Sequence, residues 1–210
     1  MPFGAHETME VHEMLNEKIN LINHFQLYAQ QCQSSQLKDM IHRHLQTAIQ
    51  AYDQLVRYTH DYQTAQGMST QTGISNIQPQ QIQYGLNNPP QLMPQMQQMS
   101  KSMDDQQIAM AVLSCHKNSA KNHMQAAVEC ADPNVRQMLV NGSVTCSNQA
   151  YEVFTYMNQQ GLYQVPTLKD HTAKTYLHAY QPVQQEMPQS MQQGMTQGMQ
   201  QPAMQQMYHQ

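Results

Sequence analysis

Two long segments with helical periodicity and almost no proline constrain what this chain can fold into. They span residues 7–66 and 104–160, and each is long enough for two helices. Apolar residues recur in both at spacings of three and four, which is the pattern of helices with one buried face. The predicted buried positions of the first segment are Val11, Leu15, Ile22, Phe25, Ala29, Cys32, Leu37, Ile41, Ala48, Tyr52, Leu55 and Tyr62. The sequence therefore predicts two helical hairpins.

Residues typical of helix ends separate the predicted helices. Ser34 and Ser35 offer an N-cap for the second helix, and Asp132 offers one for the fourth. Pro133 follows Asp132 at the first helical position, where its missing N–H costs nothing. Gly161 stands where the fourth helix is predicted to end, because glycine closes helices readily.

The two hairpins also share a sequence register. Matching residues 99 positions apart include Lys18 and Lys117, His24 and His123, and Tyr52 and Tyr151. One register that holds across both helices of each hairpin indicates an internal duplication. An isolated hairpin would expose its apolar face, so two are expected to pack together as a four-helix bundle.

The expected architecture is all-α, a ferritin-like four-helix bundle made of hairpins 1–66 and 104–161. A long crossover, residues 67–103, joins the hairpins, as in bundles of the ferritin type. This crossover is rich in Gln, Asn and Pro, which favours extended or partly disordered chain.

Two further segments follow the second hairpin. Thr167 to Asp170 is a capping-box pattern, which predicts a short helix within residues 162–180. Residues 181–210 consist mainly of Gln, Met, Gly and Pro. Because so little branched or aromatic surface cannot offset the entropy of ordering, we expect a disordered tail.

Charge and hydropathy exclude several kinds of partner. A net charge of -4 and a pI near 6.2 give no basic surface for nucleic acid. No apolar run approaches the roughly 20 residues that span a bilayer, so membrane insertion is not expected. The first 15 residues carry Glu7, Glu10 and Glu13 and lack the basic and apolar regions of a signal peptide. We therefore expect synthesis in the cytosol.

The sulfur-containing residues each allow two interpretations. The four cysteines form no Cys-x-x-Cys pair, so they are expected to be small buried side chains, with intermolecular cross-linking as the alternative. They are Cys32, Cys115, Cys130 and Cys146. Methionines recur every fourth residue between Met187 and Met199. Thioethers are soft ligands suited to Cu(I), but methionine mixed with glutamine is more typical of adaptable contact surface.

A group of motifs in the second hairpin resembles the spore coat protein F family. The motifs are Ala127-x-Glu129-Cys130-Ala131-Asp132-Pro133-x-Val135-Arg136, Tyr151-Glu152-Val153-Phe154-x-Tyr156-Met157 and Gly161-x-Tyr163. The resemblance covers roughly residues 104–166 and extends more weakly to residues 7–66. It implies a ferritin-like helical fold, expression in an endospore-forming bacterium, and assembly into the spore coat.

The residues that would hold metal in a ferritin-like fold are largely missing. The di-iron pattern needs Glu-x-x-His on two helices, and the nearest match is Asp39 with His42. A second candidate site, a mononuclear one completed by Asp53 or Glu152, rests on positions that correspond in the two hairpins. Its ligands would be Glu17, His24, His116 and His123. Duplicated polar residues equally serve mutual hydrogen bonding, so we expect no cofactor.

The sequence thus predicts a non-enzymatic structural component of the endospore coat. Other coat proteins are the expected partners, together with self-association. We expect synthesis in the mother cell followed by assembly into the coat. Eleven tyrosines and 39 glutamines offer sites for dityrosine and glutamyl-lysine cross-links. The alternative function is that of a ferritin-like metal-binding or oxidoreductase protein.

Overall fold

Five helices make up the part of the chain that the structure describes. The computed structural model describes residues 4–61 and 102–181. The predicted tail beyond residue 181 and the predicted crossover, except its last two residues, lie outside these ranges. The helices are α1 (Ala5–Gln31), α2 (Ser35–Asp61), α3 (Asp105–Glu129), α4 (Pro133–Gln159) and α5 (Asp170–Leu177).

The chain divides into two compact units, Met1–Thr167 and Leu168–Gln210. The first contains α1 to α4, which pair as the hairpins α1–α2 and α3–α4 and form the predicted ferritin-like four-helix bundle. The second contains the short helix α5, whose side chains are mostly exposed. The all-α prediction is confirmed.

The predicted helix caps explain where α2, α4 and their turns begin. Ser34 Oγ accepts a hydrogen bond from the Leu37 backbone N–H at 3.3 Å, so Ser34 is the N-cap of α2. Asp132 caps α4 by accepting from the backbone N–H groups of Asn134 and Val135 at 2.8 and 3.1 Å. Such caps satisfy N–H groups that the first helical turn leaves free.

Gly161 ends α4 through a left-handed backbone conformation, as predicted. Its φ is +72°, which costs glycine little because it has no Cβ. The N–H groups of Gly161 and Leu162 then donate to the carbonyls of Asn158 and Met157 at 3.0 and 2.8 Å. This is the Schellman arrangement, and after it Leu162 and Tyr163 pack against the larger apolar cluster of the bundle.

The capping box predicted at Thr167 does not form. Helix α5 begins at Asp170 with Lys169 as its N-cap, and no side chain caps it. Asp170 instead accepts a hydrogen bond from Lys174 Nζ at 2.8 Å, one turn further along the helix. Thr167 lies too far ahead of the first helical residue to reach its N–H groups.

The two hairpins correspond at an offset of 98 residues, so the predicted offset of 99 is wrong by one. Helix ends show this directly: Gln31 and Glu129, Ser35 and Pro133, and Asp61 and Gln159. Buried positions agree: Leu37 and Val135, Ile41 and Leu139, Leu55 and Val153, and Tyr58 and Tyr156. One residue turns a helix by about 100°. Consequently His24 is exposed whereas His123, its predicted counterpart, is buried.

Each hairpin also holds the turn of the other through an acidic side chain, and we call these contacts the turn clasps. Asp105 accepts from the backbone N–H groups of Gln33 and Ser34, both at 2.8 Å. Glu7 accepts from the backbone N–H of Asp132 at 2.8 Å. Glu7 and Asp105 are themselves 98 residues apart, so the clasps are related by the same internal symmetry.

The clasps also fix the directions of the helices. Glu7, near the start of α1, meets the turn that follows α3, so α1 and α3 are antiparallel. Tyr58, near the end of α2, donates to Asp132 Oδ2 at 2.7 Å, whereas α3 begins beside Gln33. The connection between α2 and α3 therefore joins opposite ends of the bundle.

Two apolar clusters fill the bundle, one near the α1–α2 turn and one near the α3–α4 turn. The larger cluster includes Phe25, Leu37, Ile41 and Val153 near the α1–α2 turn. The smaller cluster lies near the α3–α4 turn and contains Val11, Met14, Leu55, Tyr58, Ala126, Ala127, Val135 and Leu139. Between these clusters the stripes of the helices become polar.

Candidate functional site

The polar residues between the two apolar clusters form the candidate site, and we call them the central polar layer. Each lies on the inward face of its helix, at the spacing of three or four residues that marks the buried positions, so its side chain points into the core. The layer consists of Lys18 from α1, Ser119 and His123 from α3, and Ser143 and Cys146 from α4, all buried. Buried polar groups usually have hydrogen-bond partners, so unpartnered ones in this layer mark positions of interest.

His123 is anchored on one side and unpartnered on the other. Its Nδ1 donates to the Ser119 carbonyl oxygen at 2.8 Å, because a carbonyl can only accept. In the neutral imidazole this leaves Nε2 without a proton, and Nε2 is buried and lacks a hydrogen-bond partner. Burial lowers the pKa of His123 to about 4, so the ring is neutral near pH 7. The exposed fraction of the residue is 2%.

The His123 ring lies against Gly142 of α4. A Cβ at Gly142 would come within 2.4 Å of His123 Cδ2 and 2.9 Å of Nε2. No side chain other than hydrogen fits beside this imidazole without displacing it. Gly142 is therefore the residue that lets α3 and α4 approach each other around His123.

Lys18 and Cys146 share the layer with His123. Burial lowers the pKa of the Lys18 ammonium, because charge is costly away from water. Burial likewise raises the pKa of the Cys146 thiol to about 11, so it is protonated near pH 7. All four cysteines are free, and Cys32 and Cys146 are the buried ones.

A carboxylate and two histidines form a chain of hydrogen bonds beside the central polar layer. His44 Nε2 donates to Glu152 Oε2 at 2.9 Å, and His116 Nε2 lies 3.1 Å from His44 Nδ1. Arg43 also pairs with Glu152. The bond from His44, reinforced by Arg43, lowers the pKa of Glu152. The chain links α2, α3 and α4 at the middle of the bundle.

His116 ends this chain inside the core. Burial, reinforced by its neighbour His44, holds the pKa of His116 well below its ordinary value. Its Nδ1 is buried without a hydrogen-bond partner. The ring contacts Phe25 edge-on, with the centroids 5.2 Å apart. A neutral His116 thus fills an apolar position while remaining tied to Glu152 through His44.

The four candidate metal ligands, Glu17, His24, His116 and His123, do not converge. His116 and His123 are buried, but His24 is exposed and stacks on Tyr28 with centroids 5.9 Å apart. Glu17 lies between α1 and α3, where it accepts hydrogen bonds from the Ser119 hydroxyl and from Asn122 Nδ2. The one-residue error in the register explains this outcome, because it placed His24 and Glu17 on the wrong face.

The other predicted ligands are also dispersed. Asp39, His42 and Asp53 are exposed, and Glu152 is engaged by His44. Within residues 4–61 and 102–181, no three His, Cys, Asp or Glu side chains are placed to share a metal ion.

Lys18, Ser119 and Ser143 of the central polar layer, and His44 beside it, were missed as functional candidates in the sequence; Lys18 and His44 are the informative cases. Lys18 was recognised only as part of the repeat, and His44 not at all. Both have a signal in the sequence, because each lies at helical spacing within an apolar stripe: Lys18 lies between Met14 and Leu21, and His44 lies between Ile41 and Ala48. A polar residue inside such a stripe predicts a buried polar group.

Comparison with known proteins defines the class of this fold. Residues 104–166 match the Coat F domain, which corresponds to the hairpin α3–α4 and the residues that follow it. The crystal structure of a candidate spore coat protein from Bacillus halodurans C-125 superposes with a TM-score of 0.59 at 12% identity. The superposition covers 81% of this chain and 97% of that one, and it supports the same helical fold. The fold is therefore a helical bundle whose second hairpin matches the Coat F domain.

A curated relative extends the similarity to nearly the whole chain. The spore coat protein F-like protein YhcQ of Bacillus subtilis (strain 168) is 28% identical over 185 residues, which cover 88% of this chain and 83% of that protein. The Coat F match and this relative support the similarity to the spore coat protein F family that the motifs predicted. None of the described helices combines the length and apolar character needed to cross a membrane.

Proposed function

We propose that this protein is a structural component of the bacterial endospore coat that acts by protein–protein assembly and not by catalysis. The observation that carries the proposal is the Coat F match over the complete hairpin α3–α4. The names of the relatives, which refer to the spore coat, support the same role. We place synthesis in the mother cell and assembly with other coat proteins.

The organisation of the bundle supports a structural role. The turn clasps tie each hairpin to the other, and most buried polar groups bond within the bundle. Several large apolar side chains remain exposed along α1, α3 and α4, where they offer contact surface for assembly. They are Met9, Ile19, Leu27, Met110, Met124, Val128, Val144 and Tyr151.

Exposed tyrosines on and next to α5 offer sites for covalent reinforcement. Tyr176 and Tyr180 have exposed fractions of 71% and 81%. A two-electron oxidant such as a peroxide can join two phenolic rings on different molecules: one C–H hydrogen is lost from each ring, a C–C bond forms between them, and the oxidant is reduced. Such bonds would make the assembly durable. We include such cross-linking, and self-association, in the proposed function.

Extraction of purified spores tests this proposal. Immunoblots should find the protein in the coat fraction, with part of it resistant to detergent and reductant. The Tyr176→Phe, Tyr180→Phe double variant should be extracted more completely, whereas Tyr28→Phe, at a half-buried tyrosine of α1, should behave like the wild type. Complete recovery of the wild type as monomer would rule out cross-linking, and its absence from the coat fraction would rule out the structural role.

A further inference from the structure

A cleft between α2 and α4 opens onto the central polar layer. Ala48 and Ala51 form part of one wall and Gly142 part of the other, while Lys18 and His123 lie on its floor. Its volume is about 50 Å³, which is room for an ion or a few water molecules. The small side chains of the walls are what leave this space open.

His123 is prepared to bind an electrophilic partner in this cleft. Its Nδ1–H is fixed by the Ser119 carbonyl, its Nε2 lone pair is buried and unpartnered, and the residue lines the cleft. Histidines that bind metals characteristically donate their other ring N–H to a carbonyl or carboxylate, which fixes the tautomer and ring orientation. His123 already has this second contact.

Cys146 brings a soft donor to the same cleft. It lies one helical turn after Gly142, and the His123 ring packs against Gly142. Side chains on a helix tilt towards its N-terminus, which is the direction in which Gly142 lies from Cys146. Both residues line the cleft.

We propose that His123 Nε2 and Cys146 Sγ bind one Cu(I) ion in the cleft between α2 and α4. Sulfur ligands select soft ions such as Cu(I), and Cu(I) accepts a pair of ligands. Structural zinc requires four ligands, and the described residues offer no cluster of three His, Cys, Asp or Glu side chains. The pair therefore fits Cu(I) better than zinc or iron.

The charges of the complex suit a buried site. On binding, the bond between Cys146 Sγ and its proton breaks, an S–Cu bond forms, and the proton leaves to solvent. Thiolate and Cu(I) together are neutral, so the complex adds no net charge to the core. Lys18 is the cation that faces the site, and burial lowers the pKa of its ammonium group.

The internal symmetry supplies matched variants. The positions 98 residues before His123 and Cys146 hold Phe25 and Ala48, both of which are buried in the bundle. His123→Phe and Cys146→Ala therefore introduce residues that the fold already uses at equivalent positions. Cys130→Ala is the control, because the Cys130 thiol donates to Ala126 O at the end of α3, outside the cleft.

Reduced full-length protein would be titrated with Cu(I) without oxygen, against the chromophoric chelator bicinchoninate. The wild type and Cys130→Ala should each have one tight Cu(I) site that His123→Phe and Cys146→Ala lack. In those two variants the affinity of this site for Cu(I) should fall by about a hundredfold or more. Binding by the methionines of residues 187–199 would be common to all four proteins. Equal stoichiometry and affinity in all four would overturn the proposal.

X-ray absorption keeps the proposal testable if circular dichroism shows that the variants have lost helix. The wild-type complex with one Cu(I) should show one nitrogen and one sulfur ligand. A shell of sulfur ligands alone would place the ion on methionines or on other cysteines, and would refute the site.

Discussion

The contact between His123 and Gly142 predicts that the effect of Gly142→Ala on stability changes sign with the presence of the His123 imidazole. In Gly142→Ala, the new Cβ would lie 2.4 Å from His123 Cδ2, well inside contact distance. The ring cannot move away freely, because its Nδ1 is bonded to Ser119 O at 2.8 Å. Relief of the clash therefore breaks that bond and shifts a buried side chain.

The size of the effect follows from two opposing contributions. Overpacking of a core and loss of a buried hydrogen bond each cost about 1–3 kcal/mol. Because the same movement of the His123 ring relieves the clash and breaks the bond, this cost is counted once. Alanine in place of glycine inside a helix returns about 1 kcal/mol. The difference is about 0–2 kcal/mol, so Gly142→Ala should lower the free energy of unfolding by up to about 2 kcal/mol.

Removal of the imidazole should reverse the sign. In a His123→Ala background the new Cβ meets no ring, so Gly142→Ala should raise the free energy of unfolding by about 1 kcal/mol. The coupling energy between the two positions is then about 1–3 kcal/mol. Ser147→Ala, at an exposed position of the same helix, serves as a control for helix propensity and should change stability by less than about 0.5 kcal/mol.

Urea unfolding followed by circular dichroism at pH 7.5 measures all five proteins. The reasoning is refuted if Gly142→Ala stabilises the protein equally with and without His123. In that case the imidazole would not pack against Gly142, and the central polar layer would be arranged differently.

Three further predictions concern the turn clasp of Asp105, the hydrogen bond between Tyr58 and Asp132, and the buried His123. Asp105→Ala removes the acceptor for two backbone N–H groups of the α1–α2 turn and should cost about 1–3 kcal/mol; Asp170→Ala, which removes an exposed ion pair, should cost under about 1 kcal/mol, and equal losses would contradict the clasp. Tyr58→Phe should cost about 1 kcal/mol in the same urea assay, because Asp132 loses a hydrogen bond, and no loss would count against that contact. The free energy of unfolding should fall as pH drops from about 6.5 towards 4, by up to about 1.4 kcal/mol per pH unit. The cause is His123, which has its ordinary pKa in the unfolded chain but a pKa of about 4 in the folded protein, so that only the unfolded chain binds a proton in this range. His123→Phe should reduce that slope in thermal melts across this range, and an unchanged slope would contradict the buried neutral ring.

Helix ends and fold class could be predicted from the sequence because they rest on local chemistry. Ser34, Asp132 and Gly161 each act within a few residues of their own position, so their capping or closing role is visible without tertiary contacts. The periodicity of the apolar residues likewise identified four long helices. Prediction from Thr167 failed because α5 begins only at Asp170, too far along the chain for the Thr167 side chain to cap it.

The register of the duplication could not be read from residue identities. The matching residues 99 positions apart include Asn23, Gln26, Asn122 and Gln125, all of which are exposed. Exposed positions tolerate such residues on any face, so chance matches there outweigh the buried positions that fix the packing. Leu37 with Val135, and the helix ends themselves, show the true offset of 98.

The candidate site depended on that register. An error of one residue matched His24 with the buried His123, so the candidate ligand set mixed surface and core residues. The pairing of His44 with Glu152 joins residues from different hairpins, 108 positions apart, and no local pattern indicates it. Only the packing of α2 against α4 brings them together.

Localisation in sporulating cells tests the central claim most directly. A fluorescent fusion of the full chain, produced in an endospore-forming host, would be followed by microscopy from forespore engulfment to the mature spore. If the protein is a coat component, fluorescence should gather at the forespore surface and remain on the released spore. Diffuse fluorescence in the mother cell throughout, with none on purified spores, would contradict the account.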